Sequence, residues 1–162
     1  MIQKKICLLG AFSVGKTSLI KRFVESIFDE KYLTTLGVKI DKKNVEVDGD
    51  DVRLMIWDLE GEDDYSKIKT NHLRGASGYI LVADGTRPDT LETARSIHQL
   101  ARQTLGKVPA ILAMNKVDLE DQWSVTESAI GLLDPDLDLI RTSALSGQNV
   151  EQLFASLAKR LL

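Results

Sequence analysis

The chain has 162 residues, of which 43% are hydrophobic, and this suits one domain spanning 1–162 with a sizeable core. Against 24 acidic residues stand 21 basic ones, a net charge of −3 with no basic stretch, which argues against nucleic acid and bare membrane as partners. Cys7, the single cysteine, lies in the first apolar run, so a disulfide framework is excluded and a small buried hydrophobe is expected there.

Ile2 to Leu9 reads as a strand and lacks the charged start and long apolar run of a signal peptide. "GAFSVGKT", Gly10 to Thr17, follows it and fits GxxxxGK[ST] directly after a strand and before a helix, the context this motif requires. In such a loop the backbone amides of Phe12, Ser13, Val14, Gly15 and on to Ser18 wrap phosphates at the positive end of the following helix. Lys16 is expected to neutralise the β- and γ-phosphates, and the Thr17 hydroxyl to ligate Mg²⁺.

Leu19, Ile20, Phe23, Val24 and Ile27 then repeat at helical spacing. "NVEVDGDDVRLMIWD" alternates on both sides of Asp48-Gly49, which predicts a tight antiparallel hairpin. Five carboxylates crowd "IWDLEGEDD", residues 56 to 64: Asp58, Glu60, Glu62, Asp63 and Asp64. Asp63 and Asp64 precede "YSKIKTNHLRGA", where acids suit a helix start. The continuous apolar runs "GYILVA" (78 to 83) and "PAILAMN" (109 to 115) predict central strands covered on both faces. Between them Leu91, Ala94, Ile97, Ala101 and Leu105 form a helical stripe.

"NKVD", Asn115 to Asp118, leaves the second of these strands at its carboxyl end, where open α/β sheets bind ligands. Guanine presents two donors on its Watson–Crick edge, and one carboxylate accepts both, so Asp118 is the expected base reader. Adenine would face that carboxylate with the wrong groups, at a cost of roughly 1–3 kcal/mol or more. The Lys116 stem is expected to cover the base, and Asn115 to tie this loop to the phosphate loop. Residues 119 to 136 show weak periodicity, with a short helix expected around Ser124 to Leu133. Trp123 in this stretch reads as half-packed surface or a partner anchor. His72 and His98 have no His or Cys at ligand spacing, so surface or helix-packing roles are expected of them. After the strand pattern "LDLI" comes "RTSAL", where Ser143 is expected to hold Asp118, the Ala144 amide to meet the guanine oxygen, and Leu145 to border the base. Val150, Leu153, Phe154, Leu157, Ala158 and Leu161 line one face of a final helix.

Along nearly its whole length the sequence resembles the Ras superfamily of small GTPases, in which a lysine and a threonine matching Lys16 and Thr17 serve the phosphates and Mg²⁺. "TTLGV", Thr34 to Val38, is similar to the first switch of Rab-type members, and "WDLEG" resembles the WDTAG of the second. The resemblance implies GTP or GDP with Mg²⁺ as ligands. It also implies that Thr35 binds the metal when the γ-phosphate is present, that Asp58 holds it through water, and that Gly61 gives its amide to the γ-phosphate. Phe28 stands where the family places an aromatic edge against guanine, although a core role fits it as well.

Two departures bear on catalysis. Glu62 replaces the glutamine that orients the attacking water, and an ionised glutamate accepts but cannot donate. Phe12 occupies a phosphate-loop position usually held by a small residue, near the path of a partner's arginine. Slow GTP hydrolysis is therefore expected, with Lys16, Thr35, Gly61 and Glu62 as the catalytic set. The alternative is a guanine-nucleotide-binding scaffold with negligible turnover. A P-loop kinase for a small metabolite would leave "NKVD" and "TSAL" without a purpose.

The expected fold is an α/β P-loop domain with a six-stranded, mostly parallel sheet, its second strand antiparallel at an edge, and about five helices on both faces. Protein effectors, and an activator or exchange factor, are expected at residues 30–40 and 59–72. Cytoplasmic location is expected, without lipid attachment from the terminal "LAKRLL", which has no cysteine.

Overall fold

The apolar runs of the sequence become the middle of one twisted sheet. The computed structural model describes residues 2–11, 13–24, 31–33, 39–59, 70–125, 127–131, 134 and 137–162, with backbone alone for residues 31–33, 70 and 127. In chain order the elements are β1 (Ile2–Gly10), α1 (Lys16–Val24), β2 (Lys31–Leu33), β3 (Lys39–Val47), β4 (Asp50–Asp58), α2 (Thr70–Leu73) and β5 (Gly78–Asp84). They continue with α3 (Pro88–Leu105), β6 (Ala110–Asn115), a 3-10 helix (Val117–Gln122), α4 (Glu127–Gly131), β7 (Asp138–Arg141) and α5 (Val150–Arg160).

The sheet order is β2-β3-β4-β1-β5-β6-β7. β4, β1, β5, β6 and β7 run parallel, while β3 is antiparallel to β4. All six expected strands are present. The three-residue β2 adds a seventh outside β3, so the antiparallel strand lies one place in from the edge. Asp48 (φ 51) and Gly49 (φ 89) are both left-handed and join Val47 to its partner Asp50, as a two-residue hairpin loop requires.

Strand side chains alternate between two apolar layers. Ile6, Leu8, Ile80 and Val82 face one layer, with Leu19, Phe23, Phe154 and Leu157 from α1 and α5. Cys7, Leu9, Tyr79 and Leu81 face the other, with Leu91, Ala94, Ile97 and Ala101 from α3. Both faces of the central strands are thus covered, which accounts for their unbroken apolar sequences.

The register sets the functional end. Leu8 pairs with Asp58, Gly10 with Val82, and Asp84 with Asn115, so the carboxyl ends of β4, β1, β5 and β6 lie along one rim. The chain passes from β1 to strands on one side of it in the sheet and resumes after β4 at β5 on the other side, and that reversal opens a crevice at the rim.

Among the described residues, the weakly periodic segment holds the end of the 3-10 helix and α4, which falls within the short helix expected around Ser124 to Leu133. Of the helix expected after Asp64, α2 is the described part. Phe12, Phe28, Thr35, Glu60, Gly61, Glu62, Asp63 and Asp64 lie outside the described residues, as does most of the two expected partner segments. Among the described residues, no helix is long and apolar enough to cross a membrane.

Candidate functional site

The turn from β1 into α1 is held open by backbone geometry. Ser13 (φ 62) and Gly15 (φ 103) are left-handed, and the Leu19 amide donates to the Gly15 carbonyl at 2.8 Å, starting the helix. A Cβ on Gly15 would collide with the Asn115 Nδ2, so this position requires glycine for conformation and for space. The Lys16 ammonium folds back over the loop and donates to the carbonyls of Gly10 (3.3 Å) and Ala11 (3.2 Å). It is a buried cation at a helix N-terminus, pointing where the loop curves.

One residue on, the Thr17 hydroxyl donates to Asp58 Oδ2 at 2.5 Å. Asp58 is 1% exposed, and its Oδ1 makes no hydrogen bond among the described residues. A buried carboxylate oxygen without a partner is costly unless a cation or water completes it. Two hard oxygen donors side by side, one of them incompletely bonded, fit a Mg²⁺ ion.

The other half of the rim is built around Asn115, 1% exposed at the end of β6. Its Nδ2 donates to the Val14 carbonyl at 2.9 Å, and its Oδ1 accepts from the Thr142 hydroxyl at 3.2 Å and the Ala144 amide at 3.3 Å. One side chain thereby ties the phosphate loop to the loop after β7. Ser143 donates its hydroxyl to Asp118 Oδ1 at 2.7 Å and accepts the Ser146 amide at 3.0 Å, which fixes the Asp118 carboxylate from one side. From α1, the Arg22 guanidinium donates to the Ser146 carbonyl at 2.9 Å.

Lys116 adopts a left-handed conformation (φ 71), which turns the chain from β6 into the 3-10 helix carrying Asp118. Its ammonium lies 2.7 Å from Asp84 Oδ2 and 3.4 Å from the Ser13 carbonyl. Asp84 is fully buried. Burial pushes its carboxyl up, but hydrogen bonds from Lys116 and from the Thr86 hydroxyl and amide outweigh that and hold it below the usual carboxylate range.

These pieces enclose a cavity of ≈ 470 Å³ lined by Gly15, Ser18, Asn115, Lys116, Asp118, Leu119, Ala144 and Leu145. Seven of these eight were singled out from sequence; Leu119 was not. Sequence reasoning also missed Asp84, Gly85 and Thr86, whose one signal is an acid that ends an otherwise apolar strand. Trp123 is half-buried and bonded within this region rather than displayed as an anchor. His98 is buried between Tyr79 (2.9 Å) and Asp134 (2.8 Å), a helix-packing role.

A parallel sheet whose first strand runs through a glycine loop into a helix headed by Lys16 and Thr17 defines a P-loop domain. A family model described as "Ras family" matches residues 5–162. Relatives include the Ras-related protein Rab-13 of Canis lupus familiaris, 35% identical over 161 residues, covering 98% of this chain and 79% of the relative. RABE1e of Arabidopsis thaliana is 33% identical, covering 96% and 73%, and Rab-8B of Homo sapiens is 32% identical, covering 98% and 78%. The chain belongs to the Ras family and is Rab-like within it. It is accordingly a GTP-binding switch protein of a family that acts with Mg²⁺.

Proposed function

We propose that this chain acts, as a single cytoplasmic domain, as a guanine-nucleotide switch whose intrinsic GTP hydrolysis is slow. The observation that carries the reading is that Asp118, oriented by Ser143, and the phosphate-loop residues Gly15 and Ser18 line one cavity. A carboxylate at one end suits the two donors of guanine, and a ring of amides beside a buried lysine suits a phosphate chain at the other.

In this reading Lys116 and Leu145 flank the base, the Ala144 amide, which donates to Asn115 Oδ1 at 3.3 Å, shares its one N–H with the guanine oxygen, and Phe28 closes the edge. Amides from Phe12 to Ser18 and the Lys16 ammonium hold the phosphates. Thr17 and Thr35 would hold Mg²⁺ and Asp58 would hold it through water, and the ion would neutralise charge on the phosphate oxygens. Gly61 donates its amide to the γ-phosphate, and Glu62 faces the attacking water. Because an ionised Glu62 accepts a hydrogen bond but donates none, and repels the γ-phosphate, the water is poorly oriented. The Phe12 side chain obstructs an incoming arginine. Segments 30–40 and 59–72 carry effectors and any activator or exchange factor.

Two measurements test the reading. Denaturing the purified protein should release GDP or GTP, whereas an adenine nucleotide would sink the base assignment. In single-turnover hydrolysis Glu62→Gln should be faster than the parent, and an unchanged or lower rate would remove Glu62 as the cause of slowness. Glu62 and Phe12 also favour a second reading, a scaffold that holds nucleotide without turnover. Phosphate release followed over hours separates it from a slow switch.

A further inference from the structure

The 3-10 helix that carries Asp118 is six residues long, has no buried residue of its own, and begins at a left-handed lysine. Nothing within it accounts for a fixed carboxylate, so its order must come from outside. Ser143 holds the carboxylate from one side and the Thr142 carbonyl accepts the Val117 amide at 3.0 Å, while Trp123, the residue after the helix, holds the other end. The Trp123 Nε1–H donates to the Lys116 carbonyl at 2.8 Å, and the Leu119 amide donates to the same oxygen at 2.9 Å. Both lone pairs of that carbonyl are occupied, and the end of the helix is bound to its beginning.

The indole also needs a seat, and Gly85 provides it. A Cβ built on Gly85 would lie inside the Trp123 ring system, against Cε2, Cδ2 and Nε1. Gly85 does not have a left-handed φ, so the glycine is required for space alone. The Ser124 amide donates to the Gly85 carbonyl at 3.2 Å, and the Gly85 amide donates to the Asn115 carbonyl at 3.2 Å. With the Lys116 to Asp84 ion pair, the turn bearing Asp118 is fastened to the end of β5 on both of its sides.

We infer that Trp123 is a positioning residue for base recognition: seated on Gly85 and bonded to the Lys116 carbonyl, it sets the place of the Asp118 carboxylate and so the discrimination among purine nucleotides. The inference rests on the reading of Asp118 as the guanine acceptor. Trp123 is not among the residues that line the cavity. Removing it leaves Asp118 and Ser143 in the chain but loosens the turn that aims Asp118.

The test compares release of GDP and of inosine diphosphate, which lacks the exocyclic amine, from nucleotide-loaded protein with Mg²⁺. Trp123→Phe keeps a ring on Gly85 but removes the N–H, leaving a carbonyl lone pair without its donor. GDP should then leave about five- to tenfold faster, and inosine diphosphate should be affected less, so that the ratio between them narrows. Gly85→Ala should do the same by displacing the indole, and should add nothing in a Trp123→Ala background. Equal acceleration of both nucleotides would mean general loosening and would overturn the inference, as would unchanged GDP release or additive effects of the Gly85 and Trp123 substitutions. If the parent protein does not distinguish GDP from inosine diphosphate, the guanine assignment of Asp118 fails and this inference with it. A parent that discriminates beside a Trp123→Phe variant that discriminates equally sinks the positioning role alone.

Discussion

Both ends of the Asn115 amide bond to the protein itself, one to the Val14 carbonyl and the other to Thr142 and Ala144. Asn115→Ala should therefore cost about 1–3 kcal/mol in urea denaturation, because a buried carbonyl and a buried hydroxyl lose their partner. It should also quicken GDP release, since the two halves of the cavity part. Asp118→Asn changes one acceptor into a donor and should weaken GDP by about 2 kcal/mol or more. Xanthosine diphosphate, whose ring carries an oxygen where guanine has the amine, should bind this variant better than it binds the parent. A displacement titration reads both. Asp84 offers a test in acid. Its carboxyl is depressed by Lys116 and Thr86 against the upward push of burial, so its folded pKa lies below the unfolded one. The stability it contributes is present above the ordinary carboxylate value of about 4 and disappears as pH falls through the lower folded value. Asp84→Asn should flatten that acid limb of the stability curve.

At the scale of elements, α1 and α5 meet through Phe23 and Phe154, whose rings stack with centroids 4.0 Å apart and planes 4° apart. Both rings are buried, so Phe154→Ala should destabilise the fold by about 3–5 kcal/mol, seen as a lower urea midpoint at unchanged slope. These two helices and α3 were plain in the sequence because each lays an apolar stripe on the sheet, and a stripe is a local signal. β2 was not, since three residues are too few to show a period of two. The 3-10 helix was hidden for another reason. Four of its six residues are polar, and part of what holds it is a contact between Trp123 and Gly85, 38 positions apart, which no local pattern can carry. The same division runs through the cavity. Lys16, Thr17, Asn115 and Asp118 belong to short motifs and were legible, whereas Asp84 and Gly85 matter through what they touch.

In the whole molecule the strands β4, β1, β5 and β6 end on one rim, so a ligand there is contacted from four consecutive places in the sheet. That sheet keeps Cys7 at its centre, with no surface exposed. Burial pushes the thiol up to about 12, with nearby Lys5 pulling slightly the other way. The neutral thiol favours the folded state, and that contribution is complete below about 9 and fades as pH rises toward 12. Because Cys7 is the chain's lone sulfhydryl, its alkylation should proceed no faster than the sheet comes apart. A haloacetamide added to native protein would then act as a stopwatch for complete opening, and any nucleotide that closes the rim should slow its hand.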